Sequence, residues 1–266
     1  MIDLSCFSGK NTVRELNKGE INMKDLSIGD MVEVDRGTYG RVYSFGHYTK
    51  TLTTDYLQIY IDHTKQALEI SSDHLLFVQR ESDLISVPAS TVEVGDSIVV
   101  SMLDREVCQV ERIESVTRVG AFAPFTVKGT IVVNGVVASS YVALQKDAEH
   151  FEIGDFVTPF TIQWLSHTFT AHRRMLCSVR FDLCKSETYD SDGISDWVVV
   201  PFRFSRWFLE RSTVVQTVAL FLFLVYAFLV STMETVVSSR ALLLLVFGSA
   251  YFAFTFRIRS GKVKRE

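Results

Sequence analysis

A thiol near the amino terminus and a downstream hydroxyl and imidazole are the residues of this sequence best suited to chemistry. Cys6 directly follows Ser5, and Ser71 and His74 stand close together further along the chain. A thiol beside its own preceding carbonyl can attack it and exchange the amide for a thioester, because proximity removes much of the entropic barrier. An imidazole with a pKa near neutrality can protonate the departing amide nitrogen. These residues predict a self-cleaving peptide bond between Ser5 and Cys6.

The sequence between these groups must fold so as to bring them together. It consists of short apolar runs separated by turn residues, and few segments keep a helical period. The predicted strands cover residues 42–45, 56–61, 67–70, 75–78, 97–100 and 130–133. We therefore expect an all-β domain.

A short pattern occurs twice in this part of the chain. Residues 25–32 (DLSIGDMV) and 91–99 (TVEVGDSIV) each place Gly-Asp between apolar residues and the start of an apolar strand. Gly and Asp are typical of turns. The repeat indicates two related half-domains about an approximate two-fold axis, with a chance similarity of one turn as the alternative.

Several blocks in a fixed order resemble the Hint superfamily, which inteins share with the autoprocessing domain of hedgehog proteins. The blocks are residues 6–9 (CFSG), 23–32, 71–78 (SSDHLLFV), 123–126 (APFT) and 129–141 (GTIVVNGVVASSY). The resemblance implies a horseshoe-like β domain over about residues 6–145, with Cys6 as nucleophile and His74 as proton donor. Ser71 replaces the family's threonine and keeps a hydroxyl near the scissile amide, without the methyl group that restricts its rotamer.

The acceptor that releases the thioester is less well specified. The resemblance associates an aspartate after a strand with activation of cholesterol, and the corresponding stretch, residues 44–48, contains His47 instead. His47 is a candidate base for water, a thiol or a lipid hydroxyl, a sterol among them; the alternative is a polar strand end facing solvent. Splicing is disfavoured, because residues 139–141 (SSY) lead into further chain rather than into a terminal His-Asn.

The carboxyl end has the composition of a membrane anchor. Residues 213–233 carry no charge and would span about 30 Å as a helix, and residues 241–256 would span roughly 24 Å. Their short connection predicts a transmembrane hairpin. The positive-inside rule places both chain ends in the cytoplasm, because arginine and lysine flank the pair, although an earlier export signal would override this. The amino terminus has no visible signal peptide, so we expect either a cytosolic domain or an incomplete amino terminus.

These patterns divide the chain into four parts: an autoprocessing domain (1–145), a juxtamembrane connection (146–211), two spans (212–258) and a basic tail (259–266). In the connection, residues 162–176 are predicted to be helical, and aromatic residues supply bulk suited to a membrane interface, with packing on the β domain as the alternative.

Composition argues against several other functions. The net charge of −4 disfavours a nucleic-acid binder, and four cysteines are too few for a disulfide scaffold. His167, His172, Cys177 and Cys184 are not spaced as ligands on one helix face, so no zinc site is expected. Acidic residues at 182, 187, 190, 192 and 196 lack EF-hand spacing and are interpreted as a solvated loop. We predict no cofactor.

Two hypotheses from different classes follow. The favoured one is a membrane-anchored, self-cleaving cysteine domain that acts once, in cis, on its own amino-terminal segment. It would lie in the secretory pathway or plasma membrane if an export signal precedes this sequence. The alternative is a catalytically silent β module that holds a partner at the membrane.

Overall fold

The protein is described by a computed structural model, which covers residues 6–80, 83–102, 106–145 and 148–238. The chain divides into two compact units, with the division between Ala219 and Leu220. Nearly all of the described secondary structure belongs to the first unit, which is mostly β.

Twelve strands form one continuous, strongly twisted sheet, and two more form a separate hairpin. The strands of the large sheet are β1 (Phe7–Ser8), β2 (Thr12–Glu15), β3 (Gly19–Asn22), β4 (Met31–Asp35), β5 (Thr38–Ile61), β6 (Leu68–Ile70), β7 (His74–Arg80), β8 (Asp83–Pro88), β9 (Ser97–Val99), β10 (Val107–Thr126), β11 (Thr130–Val133) and β12 (Val136–Val142). The separate hairpin pairs β13 (His150–Ile153) with β14 (Phe156–Thr161). The prediction of a mostly β domain is confirmed.

A long antiparallel ribbon organises the sheet. The 24 residues of β5 pair with the 20 residues of β10, and the register shifts at four irregularities, two of them on either side of Phe122. Bulges of this kind bend strands and increase their twist. The predicted strands at 42–45 and 56–61 are therefore two parts of one element. Along its length β5 also pairs with β4 and with β6. This one strand therefore carries both the core residue Phe45 and the candidate site residue His47.

The repeated Gly-Asp pattern forms the same turn twice. Gly29 N–H donates to Val42 O and Gly95 N–H donates to Val110 O, each at 2.8 Å. In return, Val42 N–H donates to Asp30 O and Val110 N–H donates to Asp96 O, each at 2.9 Å. Both glycines adopt the left-handed backbone region, with φ of 104° and 97°, which residues with a side chain adopt only with strain. The repeat predicted from the sequence is thus a repeat of hydrogen bonds as well.

Strand β1 carries the predicted nucleophile into the sheet. Phe7 pairs with Phe122 on one side and Ile70 on the other, and its ring lies in the main hydrophobic core. Because adjacent side chains point to opposite faces of a strand, Cys6 faces away from this core. It lies in a small cluster with Tyr56, Ala121 and Ala123.

Within the described residues, five α-helices follow the strands. They are α1 (Ile162–Phe169), α2 (Ala171–Val179), α3 (Asp182–Lys185), α4 (Asp196–Leu209) and α5 (Thr213–Ser238). The sequence predicts one helix over 162–176, whereas the structure has two, α1 and α2, which are separated at Thr170. The hydroxyl of Thr170 contacts the hydroxyl of Tyr141. A disulfide joins Cys177 to Cys184, a pairing that the sequence argument did not foresee.

Helix α5 is the described part of the predicted membrane anchor. Residues Thr213–Val236 are long and apolar enough to cross a bilayer, with a mean hydropathy of 2.3 and few buried positions. The second predicted span, 241–256, lies outside the described residues. Gln216, the strongly polar residue near the start of α5, donates from Nε2 to Leu209 O at 2.9 Å and so caps the end of α4.

Candidate active site

Two hydrogen bonds hold the backbone of Cys6 against Ser71. The N–H of Cys6 donates to Ser71 Oγ at 2.6 Å, and the N–H of Ser71 donates to Cys6 O at 3.0 Å. The nitrogen of Cys6 belongs to the bond that the sequence predicts to be cut. The hydroxyl of Ser71 therefore lies on the backbone nitrogen of Cys6, where it was expected from the sequence.

The imidazole of His47 contacts the thiol of Cys6. His47 Nδ1 lies 3.0 Å from Cys6 Sγ, and His47 Nε2 lies 2.7 Å from Asp192 O. A carbonyl oxygen can only accept, so Nε2 carries the hydrogen and Nδ1 of the neutral ring is the acceptor. This tautomer is suited to taking the thiol proton. His47 is 3% exposed, so it is not the solvent-facing strand end considered as the alternative.

The partner of His47 comes from a segment late in the chain, residues 187–197, which we call the strap. It runs along β5, where Tyr48 N–H donates to Gly193 O at 2.8 Å and Ser195 N–H donates to Gly46 O at 3.1 Å. Asp190 Oδ1 accepts from the N–H groups of Asp192 and Ile194 and closes a tight turn between them. The turn directs the carbonyl of Asp192 toward His47.

Glu187 fastens the beginning of the strap. Its carboxylate accepts from Ser44 Oγ at 2.6 Å, Phe45 N at 3.0 Å and Trp197 Nε1 at 2.6 Å. Arg173 lies 3.5 Å away, and the Glu187 side chain is only 2% exposed. The interpretation of residue 187 as part of a solvated loop is wrong, because a buried carboxylate needs this many donors and here receives them.

His74 is fully buried at the start of β7. Its Nε2 donates to Ser139 O at 2.9 Å, and its ring packs on Phe7 with centroids 4.3 Å apart. Since Nε2 holds its hydrogen on a carbonyl, Nδ1 is the atom through which the ring would exchange a proton. Ser139 is itself held by Gln163 and by the N–H of Tyr141.

The surroundings of the thiol are dry. Cys6 is 1% exposed and packs with Tyr56, Ala121 and Ala123. Burial, with smaller contributions from Cys6 and Glu69, raises the pKa of Tyr56 well above its ordinary value. Tyr56 therefore stays a neutral donor, and its hydroxyl bonds to Gly120 O at 2.7 Å. Electrostatic interactions are stronger in such surroundings than in water.

Metal ligands are not assembled in the part of the chain described by the structure, where no group of three or more His, Cys, Asp and Glu side chains is suitably arranged. The sulfurs of Cys177 and Cys184 are joined to each other. His167 contacts Tyr141 and Arg174, and His172 contacts Phe169 O.

Residues 3–210 match the protein family described as the Hint module. The chain belongs to the Hint family. Among curated relatives, this Hint chain is 25% identical to Tiggy-winkle hedgehog protein of Danio rerio over 78% of its length and 50% of that protein. It is 30% identical to Sonic hedgehog protein of Danio rerio over 53% of its length and 36% of that protein. Warthog protein 6 of Caenorhabditis elegans is 32% identical over 52% of this chain and 24% of its own length.

The Hint chain thus spans half or less of the length of these relatives. Among solved structures, the gp41-1 intein aligns with a TM-score of 0.42 at 15% identity, over 52% of this chain and 99% of that one. An intein-like domain from Clostridium thermocellum aligns with a TM-score of 0.40 at 17% identity, over 52% and 99%.

Proposed function

We propose that this Hint domain cleaves its own chain between Ser5 and Cys6 by converting the peptide bond into a thioester. The observation that carries the proposal is the placement of Cys6, whose nitrogen lies on Ser71 Oγ while its sulfur lies on His47 Nδ1. Nucleophile, base and leaving nitrogen are within hydrogen-bond reach of their partners, as intramolecular catalysis requires.

The first step begins with a proton transfer. His47 Nδ1 takes the hydrogen of the Cys6 thiol, and the sulfur attacks the carbonyl carbon of Ser5. The sequence assigned His47 to the release step, but its contact with the thiol supports a role in thioester formation as well. The carbonyl of Asp192 stabilises the imidazolium that forms, because it accepts the Nε2 hydrogen.

Collapse of the tetrahedral intermediate needs a proton on the nitrogen of Cys6. His74 in its protonated form supplies it from Nδ1 and the carbon–nitrogen bond breaks, which leaves the carbonyl of Ser5 joined to the Cys6 sulfur as a thioester and Cys6 with a free amine. Proton exchange with solvent then removes the thiol proton from His47 and restores the proton that His74 gave up. Ser71 keeps the nitrogen in place through its hydroxyl. A nucleophile, whether water, a thiol or a lipid hydroxyl such as that of a sterol, then attacks the thioester carbonyl, and His47, neutral again, accepts its proton. The carbon–sulfur bond breaks, the departing Cys6 thiolate takes that proton from His47, and the amino-terminal segment is released joined to the nucleophile.

We also propose that α5 anchors the domain in a membrane and that residues 241–256 return the chain to the same side. The length and apolar composition of α5 support the first span. The substrate remains the chain's own amino-terminal segment, and the acceptor is water, a thiol or a lipid hydroxyl at the bilayer. This makes the protein an autocatalytic, single-turnover enzyme of the membrane.

The decisive experiment joins a reporter protein ahead of Ile2 in the full chain. Hydroxylamine should release the reporter by attacking the thioester, with the cut between Ser5 and Cys6 established by mass spectrometry. Cys6→Ala should remain intact, whereas Cys108→Ala, which changes a buried thiol in the main core, should still be cut. A folded wild-type chain that stays intact in hydroxylamine would favour the silent interaction module instead.

A further inference from the structure

An apolar surface surrounds the start of α5 in the first unit. It includes the tip of the β13–β14 hairpin, where Phe156 is 65% exposed and Val157 is 57% exposed. Neighbouring residues of a strand point to opposite faces, so each face of this tip presents one exposed apolar side chain, and Glu152 lies opposite Val157 on one of them. Single exposed apolar residues are common on proteins, so the tip gains meaning only from what lies beside it.

Helix α4 supplies the second part of this surface. Val200, Phe204 and Trp207 are all exposed and are spaced four and three residues apart, which places them on one stripe of the helix. The guanidinium of Arg211 lies 4.5 Å from the centre of the Trp207 ring and continues the same stripe. On its flank, Phe208 stacks on Phe151 of β13 and joins the helix to the hairpin.

Both parts lie next to the point where the apolar helix begins. A side chain at Gly154, in the hairpin turn, would come within 3.0 Å of Thr213 Cγ2, and Thr213 is the first residue of α5. Helix α4 ends at Leu209, whose carbonyl is capped by Gln216 from the first turns of α5. The exposed apolar residues therefore lie on two elements that adjoin the first turns of α5 within the first unit.

We infer that Phe156, Val157, Phe204 and Trp207 form a peripheral lipid-binding surface that lies in the headgroup region around the entry point of α5. This rests on the proposed membrane anchor and adds a second, shallower contact to it. Exposed Arg203 and Arg206 on α4 suit phosphate groups, and the aromatic rings suit the boundary between headgroups and acyl chains. Asp155 at the hairpin turn is exposed and limits the depth of insertion.

The test uses the full chain with Cys6→Ala, which prevents both cleavage and labelling at residue 6, in nanodiscs of mixed zwitterionic and anionic phospholipid. A fluorophore sensitive to its surroundings is attached through Phe156→Cys or Phe204→Cys. Val218→Cys in α5 is the positive control, and Val94→Cys is the matched negative control, because Val94 is exposed like Phe156 but lies in the repeated turn. Nitroxide-carrying lipids then quench any label that contacts the bilayer.

We expect quenching and a blue-shifted emission at positions 156, 204 and 218, and neither at position 94. Quenching at 218 alone would overturn the surface while leaving the anchor intact. Absence of quenching at positions 156, 204 and 218 would overturn the anchor as well. A label at 156 that is shielded from water but not quenched would show contact with protein, such as a second copy of the chain, and would also contradict the inference.

Discussion

His47 Nδ1 lies 3.0 Å from Cys6 Sγ, while the opposite nitrogen of the same ring lies 2.7 Å from the carbonyl of Asp192. One imidazole thus joins a residue near the beginning of the chain to a segment far along it. The proposed reaction depends on both contacts, because the second decides which nitrogen of the ring can accept a proton.

Removing the imidazole of His47 tests its role as base. We expect His47→Ala to slow hydroxylamine-driven cleavage by roughly 10²–10⁴-fold, the usual contribution of general acid–base catalysis. His47→Asn keeps a polar side chain and should be equally slow. The measurement is the rate of reporter release at neutral pH. Normal rates in both variants with hydroxylamine, but slow release by the natural acceptor, would restrict His47 to the second step.

The role of His74 as proton donor can be tested separately. His74→Ala should prevent collapse of the intermediate, so the thiol would attack and be expelled again, and hydroxylamine should not rescue cleavage. We expect a loss of roughly 10²-fold or more by the same assay. His63, which pairs with Asp62 on the surface, provides the control, and His63→Ala should cleave normally. Rescue of His74→Ala by hydroxylamine would place its role after thioester formation.

Gly193 tests the contribution of the strap. It has φ of 87°, and a Cβ there would come within 2.8 Å of both Tyr48 O and Thr49 Cβ and 3.2 Å from His47 Cδ2. Gly193→Ala should push the strap away from His47 and slow cleavage on the order of tenfold to 100-fold.

Gly135→Ala is the matched control for this variant. Gly135 has φ of 85°, but a Cβ there meets nothing within 4 Å. Backbone strain should cost both variants about 1–2 kcal/mol of stability in chemical denaturation, and the clash of the new Cβ should add to this loss in Gly193→Ala. Only Gly193→Ala should lose activity. Equal cleavage rates in Gly193→Ala and Gly135→Ala would show that the strap does not contribute to catalysis.

The Cys177–Cys184 disulfide joins α2 to α3, shortly before Glu187. Replacing both cysteines by alanine should reduce the free energy of unfolding by about 2–3 kcal/mol, as the closed-loop estimate gives for so short a loop. Urea unfolding of the two forms provides the measurement. If the reduced and oxidised proteins unfold at the same urea concentration, the bond has no stabilising role.

Asp96 makes the stability of the second repeated turn depend on pH. Burial alone would raise the pKa of Asp96, but hydrogen bonds from Arg80 and from the N–H of Glu93 outweigh it and hold the pKa below its ordinary value. A lowered carboxyl pKa contributes stability that is complete above about 3.9 and is lost as the pH falls through the folded-state pKa. Asp96→Asn should therefore be less stable than wild type at pH 7, and the difference should shrink at acidic pH. A pH-independent difference would mean that the carboxylate charge does not matter.

Local pattern predicted much of the core of this domain. The Gly-Asp turns and the strands ending at Ile61 and Val133 follow from spacing and turn chemistry, whereas the placement of Ser71 beside Cys6 was implied by the resemblance to the Hint superfamily. Strand β10 was missed over most of its length, because charged residues interrupt its apolar alternation and bulges shift its register. Such a strand is stable through its pairing with β5 rather than through its own pattern.

The strap could not be foreseen in the same way. Its contact with His47 joins residues 145 positions apart, and a single sequence contains no signal for that distance. Asp190-Ser191-Asp192-Gly193 does have the composition of a tight turn, and this was the one available indication. The burial of Glu187 depends on donors from Ser44, Phe45 and Trp197, which only the folded chain brings together.

The late position of the strap has a consequence for biosynthesis. Ribosomes synthesise the chain starting from its amino terminus, so Cys6, Ser71 and His74 emerge from the ribosome well before Asp192. Until the strap has emerged and docked, His47 lacks the partner that selects its tautomer, and the thiol would remain idle. Any protein translated ahead of Ser5 would thus stay attached while nearly two hundred further residues are synthesised. It would have that time to fold before cleavage releases it. The late position of the strap in the sequence would therefore delay cleavage until the strap has been synthesised and has docked.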